Sequence, residues 1–285
     1  MITSAEVRTR VTTLPSLPTS VVALGEAIAD DRCTADRVLA VLAKDPPLSA
    51  AMLRLANSVA FCGLQPVTDL RAAVLRLGYD ALLSLGRTAA IIRTFRGGNT
   101  LDPLRLWQHS VAVGLTAKAI CRMLRRRHLE ETAFLAGLLH DIGKIALDRC
   151  FQEDYAPVLA AVREGTPFLE AERRALGLTH AEVGAEVGLS WNFGESLVEA
   201  IRLHHAPPAG AFLPNLLELC DLLVRTRIPN GPADEVLAFV LHEHRAFGEV
   251  FGSLPAEELD VERLTFGIDE ELEHAVTFVQ LAFQE

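Results

Sequence analysis

The sequence predicts an all-α protein. Three observations carry that expectation. Apolar residues recur at helical spacing between recognisable caps and breakers. Leu and Ala are abundant, while aromatic residues make up only 6% of the 285 positions. No sustained apolar/polar alternation of strand type and no short-period repeat is visible.

The N-terminal elements follow in order. Leu14-Pro15-Ser16-Leu17-Pro18 reads as an extended lead-in, and Thr19 or Ser20 can cap a helix from Val21 to about Ala29. Thr34 caps a second helix, Ala35 to Lys44, with Val38, Leu39, Val41 and Leu42 on its apolar side. Asp45-Pro46-Pro47 breaks it, and Ser49 to Ala56 forms a third, closed by Asn57-Ser58. Phe61 to Thr68 reads as a loop containing Gly63 and Pro66. Asp69 caps Leu70 to Leu77, which stops at Gly78, and Tyr79 to Phe95 is again helical. Short helices joined by tight turns predict an orthogonal helical subdomain over residues 1–97. Its faces show little polar surface, so it is expected to pack on the remainder of the chain. Arg96-Gly97-Gly98-Asn99-Thr100 is the expected linker.

Residues 98–285 form the second expected subdomain. A long helix runs from Pro103 to about Arg126, and another from Thr132 to Leu147. Thr166-Pro167 opens a helix reaching about Leu176, with Pro in its first turn. Thr179-His180-Ala181-Glu182 has capping-box form and places His180 at the first helical position. Glu195 to His205 ends at Ala206-Pro207-Pro208. Helices at Pro214 to Arg227, Ala233 to about Ala246 and Asp269 to Phe283 complete the chain.

Composition narrows the function classes. The chain is half hydrophobic, with mean hydropathy +0.25, which predicts a well-filled core in one large or two medium domains. Net charge is −10 and the pI about 5.4, which argues against nucleic acid as the main partner. Arg125-Arg126-Arg127 reads as a basic helix end favoured by the helix dipole. No apolar run reaches the roughly 18 residues of a membrane span, and no signal-type core follows Met1, so a cytoplasmic location away from membranes is expected. The five cysteines lack metal-site spacing and read as reduced, packed thiols.

Gly137-Leu138-Leu139-His140-Asp141-Ile142-Gly143-Lys144 is the stretch with chemistry. Adjacent His and Asp at the end of an apolar helix are costly to bury without a partner. They can bond to each other and to the backbone, or they can ligate a divalent cation. His109, His180, His204, His205 and Asp221 also sit at or within helices, and with His140 and Asp141 they form the candidate ligand set. Each has an ordinary reading. His109 fits a satisfied core histidine, His204-His205 a polar helix end, and Asp221 a surface acid. Together they suit a helical-bundle site in which two cations share Asp141. A nitrogen- and oxygen-rich set without thiolate suits Fe, Mn, Ni or Mg as well as Zn. Lys144, one turn beyond His140, can meet an anion held there. His128, His242, His244 and His274 lie in charged contexts and are excluded.

The set His109, His140-Asp141, Asp221 resembles the signature of HD-domain metal-dependent phosphohydrolases. With His180, His204 and His205 it resembles the larger set of HD-GYP cyclic-di-GMP phosphodiesterases. That resemblance implies a first metal on His109, His140, Asp141 and Asp221, and a second on Asp141, His180, His204 and His205. It also implies phosphate contact by Lys144, and hence catalytic roles for Asp141 and Lys144. The stretches Leu14-Pro15-Ser16-Leu17-Pro18, Lys44-Asp45-Pro46-Pro47-Leu48, Leu55-Ala56-Asn57-Ser58 and Ala72-Ala73-Val74-Leu75-Arg76-Leu77-Gly78 resemble HDOD, the HD-related output domain. The resemblance covers about residues 14 to 225. It implies a bacterial, wholly helical regulatory protein with an HD-like bundle in its second half. Many HDOD proteins have lost the metal-site residues, whereas this chain keeps the whole set. It departs from HD-GYP enzymes at Ala206-Pro207-Pro208-Ala209-Gly210, where the Gly-Tyr-Pro motif is missing, and at Arg105, where an acid is expected. Both departures weigh against a third metal and against cyclic-di-GMP hydrolysis.

Three readings follow. In the first, a signal-transduction module carries a divalent-metal site and acts on a partner protein. In the second, a metal-dependent phosphohydrolase or phosphodiesterase takes a nucleotide, cyclic dinucleotide or other phosphate-containing ligand, with Arg87 or Arg105 as cationic clamps. In the third, the site is an empty scaffold.

Overall fold

The computed structural model describes residues 1–58, 66–95, 100–228, 240–255 and 259–283. Among these, every regular element is helical and no strand occurs. No helix among them is long and apolar enough to cross a membrane. The contacts divide the chain into two compact units, Met1–Leu14 with Gly98–Leu272, and Pro15–Gly97 with Glu273–Glu285. This division differs from a single cut at 97/98, because each terminus joins the other half's unit. Most of the expected linker, residues 96–99, and residues 61–65 of the expected loop lie outside the described residues.

The first helix, α1 (Ser4–Val11), was not expected. Thr3 and Glu6 form its capping box, and Val7 and Val11 are its buried face. Its place in the larger unit follows from contacts with α9 and α12, described below, and from a backbone bond of Ile2 N–H to the Leu176 carbonyl at 2.9 Å.

The smaller unit holds α2 (Thr19–Ala29), α3 (Ala35–Leu42), α4 (Pro46–Ala56), α5 (Leu70–Leu77) and α6 (Tyr79–Phe95). Side-chain caps start three of them. Thr34, Asp45 and Asp69 accept from the backbone N–H of Arg37, Leu48 and Ala72. Asp45 rather than Ser49 therefore opens α4, with Pro46 and Pro47 in its first turn. Asn57 closes it and is tied to both backbone groups of Val67 at 2.8 Å. Helix α6 packs on α2, α4 and α5, and Leu24, Leu42, Met52, Leu55, Leu82 and Leu85 fill the core. A Cβ on Gly86 would stand 3.1 Å from Leu24, which explains a glycine inside α6.

The larger unit is built on α7 (Pro103–Met123) and α8 (Glu130–Leu139). They approach so closely that a Cβ on Gly137 would lie 2.5 Å from the Gly114 Cα. Arg125 turns the chain between them with φ 57°, and the Arg126 guanidinium stacks 4.0 Å from the Phe212 ring. The expected Thr132–Leu147 helix is two helices, α8 and α9 (Ile142–Cys150), with a turn at His140-Asp141. Next come α10 (Gln152–Arg163), which was not anticipated, α11 (Phe168–Leu176), α12 (His180–Ser190), α13 (Glu195–Leu203) and α14 (Phe212–Arg225). Residues 229–239 lie outside the described residues and with them the start of the expected Ala233–Ala246 helix. From Leu241 the chain makes a 3-10 turn, and His244 caps α15 (Arg245–Phe251). The final helix, α16 (Val261–Phe283), begins eight residues before the expected Asp269.

Candidate metal centre

The break between α8 and α9 builds the centre. In a continuous helix, adjacent side chains point about 100° apart. The turn lets His140 and Asp141 both face the interior, and both are buried. Gly143 lets α12 come against α9, since a Cβ there would fall 1.9 Å from the His180 carbonyl oxygen. The capping box of Thr179 and Glu182 then fixes His180 at the start of α12.

All seven expected ligand residues meet here. The two oxygens of Asp141 face two different groups. On the Oδ2 side, His140 Nε2 lies at 3.4 Å and His109 Nε2 at 3.9 Å. Asp221 Oδ1 completes that side, 3.0 Å from His109 Nε2 and 3.8 Å from His140 Nε2. On the Oδ1 side, His180 Nε2 stands at 3.1 Å and is itself 2.9 Å from His205 Nε2. The His204 ring packs 3.9 Å from that of His205. Ligand atoms of Asp141, His180, His204 and His205 lie within 4.8 Å of one another, as do those of His109, His140 and Asp141. Lys144 Nζ donates to Asp141 Oδ2 at 2.6 Å and lies 4.6 Å from the Phe168 ring. His128 and His242 are exposed, in keeping with their exclusion.

The donor set fits a cation. His140 donates from Nδ1 to the Gly137 carbonyl and His204 from Nδ1 to the Ile201 carbonyl, each at 2.7 Å. Their Nε2 atoms are buried without a hydrogen-bond partner among the described residues, and so is Asp141 Oδ1. A buried polar atom left unpaired costs about 1–3 kcal/mol. His180 Nε2 and Asp141 Oδ1 converge to 3.1 Å without hydrogen-bond alignment. Two neighbouring ligands about 2.1 Å from one ion stand at roughly that separation.

The protonation pattern follows from burial and neighbours. Burial works to raise the pKa of Asp141, but His140 and Lys144 hold it well below the usual carboxylate range. Asp221 is likewise held low against burial, chiefly by the hydrogen bond from His109 and by the nearby His140 ring. Burial pushes His204 down to about 3, with His140 and His180 adding to the shift, and it pushes His205 well down. His109 is also lowered by burial. Burial opposes charge on His140 and His180, yet Asp141 raises the first and Glu172 lifts the second to about 9.

Sequence reasoning missed Glu172, Tyr155 and Arg225. Glu172 reads as solvated within Glu170-Ala171-Glu172-Arg173-Arg174, and only its helical spacing to Leu176 places it on the buried face. Arg225 Nη1 lies 3.5 Å from Asp221 Oδ2. A cavity of about 90 Å³ opens at the centre, lined by Lys144, Phe168, His180, His205, Asp221 and Arg225. Lys144 and Phe168 also line a neighbouring cavity of about 240 Å³ that reaches Arg105 and Arg163. A larger apolar groove of about 400 Å³, between α7 and α16, is lined by none of the cluster residues.

Known proteins share this architecture. The crystal structure of an HDOD domain protein of unknown function from Geobacter sulfurreducens is 27% identical, with TM-score 0.81, covering 95% of this chain and 94% of that one. A candidate phosphohydrolase from Shewanella amazonensis SB2B is 25% identical, with TM-score 0.77 and 98% of each chain covered. An uncharacterised protein of Treponema pallidum (strain Nichols) is 25% identical over 214 residues, 72% of this chain. The chain spans 40% of the length of that curated relative. The HDOD domain family matches residues 14–207, a stretch that includes every ligand candidate except Asp221. The chain therefore belongs to the HDOD family.

Proposed function

We propose that the chain is a bacterial signal-transduction protein of the HDOD family whose HD-type site holds two divalent cations. The observation that carries this reading is the division of Asp141, with Oδ2 toward His109, His140 and Asp221 and Oδ1 toward His180, His204 and His205. Fe, Mn, Ni, Mg and Zn all suit such donors. A paired site of this kind activates water and stabilises charge at phosphorus. Around it, Lys144 and Arg225 supply positive charge at the cavity wall, and Phe168 covers the Lys144 ammonium.

The missing Gly-Tyr-Pro motif favours regulation, and the opening directly at the centre is small, although an adjoining cavity of about 240 Å³ shares Lys144 and Phe168 with it. Small-molecule sites run to about 300–1,000 Å³, whereas the opening at the centre is about 90 Å³. That volume suits water or a phosphate-sized anion. The signalling output then passes through the helical surface to a partner protein.

Two observations support a second reading, a metal-dependent phosphohydrolase. Lys144 and Arg225 bring positive charge to the cavity wall, which suits a phosphate, and the similar Shewanella protein is a candidate phosphohydrolase.

Elemental mass spectrometry on tag-free protein tests the metal reading. About two equivalents support it, and protein that neither carries nor takes up metal overturns it. Screening the loaded protein against phosphodiesters and nucleotides separates the two functions. Turnover abolished by Asp141→Ala favours the hydrolase.

A further inference from the structure

Behind the Oδ1 side of the centre stands a buried acid that the ligand set leaves out. Glu172 on α11 is 0% exposed. Its Oε2 accepts from the His180 backbone N–H at 2.9 Å and from His180 Nδ1 at 2.8 Å. Its Oε1 accepts from the hydroxyl of Tyr155 at 3.2 Å, and Tyr155 is equally buried. Among the described residues no Lys or Arg pairs with this carboxylate; its ion-pair partner is the His180 ring. A buried carboxylate without a cation is costly to keep. That ring supplies the compensating charge when it is protonated, and a cation at Nε2 would supply it when the ring is neutral.

The remaining imidazoles are held differently. The Nδ1 atoms of His140 and His204 donate to main-chain carbonyls, which are neutral. His109 Nδ1 has no hydrogen-bond partner among the described residues. Among the described residues only His180 has a carboxylate bonded to its Nδ1. A carboxylate behind a ligating histidine fixes the tautomer, aims the ring and makes the outer nitrogen a stronger donor. Here it keeps the hydrogen on Nδ1 and presents Nε2 to the centre. The two sides then match in charge. Beyond the shared Asp141, the Oδ2 side has Asp221 in direct reach, while the Oδ1 side receives Glu172 through His180.

We infer that Glu172, steadied by Tyr155, is the positioning residue of the Oδ1 cation, so that beyond the shared Asp141 the two cations depend on different acids. This inference rests on the paired-metal reading.

Stepwise titration of metal-free protein with Mn²⁺ tests it, with stoichiometry, both affinities and the spin-coupled paramagnetic signal of an ion pair as readouts. In Glu172→Gln, which keeps the shape and removes the charge, one affinity should stay at the wild-type value. The other should fall 10- to 100-fold, and the spin-coupled signal should vanish at Mn²⁺ levels that saturate the wild type. Tyr155→Phe should weaken the same step several-fold, and it serves if Glu172→Gln does not fold. Two wild-type affinities in both variants would overturn the inference alone. So would equal weakening of both steps together with a lowered melting temperature of the metal-free protein, which marks a structural role. Wild-type protein that takes up fewer than two ions overturns the paired-metal reading, and this inference with it.

Discussion

Asp141 and His180 meet where α9 begins against α12, with Asp141 Oδ1 3.1 Å from His180 Nε2 and no aligned hydrogen bond between them. The contact depends on a glycine two residues after Asp141. It joins the fold to the chemistry.

Asp141 serves both groups of histidines through its two oxygens. Asp141→Ala should therefore lose metal at both positions, falling from about two equivalents to none. Elemental analysis checks this, and retained metal would remove the bridging assignment. His242→Ala, an exposed control, should leave metal content unchanged.

Gly143→Ala should disrupt the centre without touching a ligand. The added methyl would meet the His180 carbonyl and the Gly184 backbone nitrogen, at 1.9 and 2.7 Å. Main chain cannot rotate away as a side-chain tip can. A cost of about 3 kcal/mol, the upper range for overpacking, should appear in denaturant unfolding, together with weakened metal uptake.

Metal uptake should be coupled to proton release. His180 is lifted to about 9, against burial, by Glu172. Below that pH its ring is mostly protonated, so a cation must displace a proton to reach Nε2. Apparent affinity should therefore rise toward pH 9, by up to tenfold per unit, and flatten above it. His204 and His205 are lowered and offer no such barrier. In metal-free protein the sign reverses for stability. The His180 contribution is fully present below about 6.5, the unfolded value, and is lost as the pH rises through about 9. Proton release on Mn²⁺ addition in weak buffer, followed across pH, checks the coupling.

Asp69→Ala should cost about 1 kcal/mol by removing the acceptor for the Ala72 N–H at the start of α5. Asp69 lies in the smaller unit, remote in sequence from every candidate ligand. Metal content should hold while the unfolding midpoint falls.

Caps and breakers made much of the fold legible. Asp69 and Gly78 bound α5 as expected, and Thr34 opens α3. The errors have physical causes. His140-Asp141 lies inside an apolar run that continues through Ile142 and Ile145, so periodicity alone extends one helix across the turn. Helix α10 has Pro157 in its interior, which argues against helix. In α1 the Thr3–Glu6 capping box was present in the sequence, but only two buried valines support it. The candidate ligands were legible because histidine within apolar helices is conspicuous. Glu172 was not, because it sits in a charged stretch and only the folded chain shows which face of α11 turns inward.

The crossing of α9 and α12 at Gly143 and Gly184 has a mechanical consequence. At most helix contacts, rotamers absorb small displacements. At Gly143 backbone rests on backbone, the His180 carbonyl and the Gly184 nitrogen standing directly against it. The His180 main chain cannot come closer to α9 without a backbone clash. The joint therefore holds the first turn of α12, and with it the His180 main chain, in a fixed place against α9.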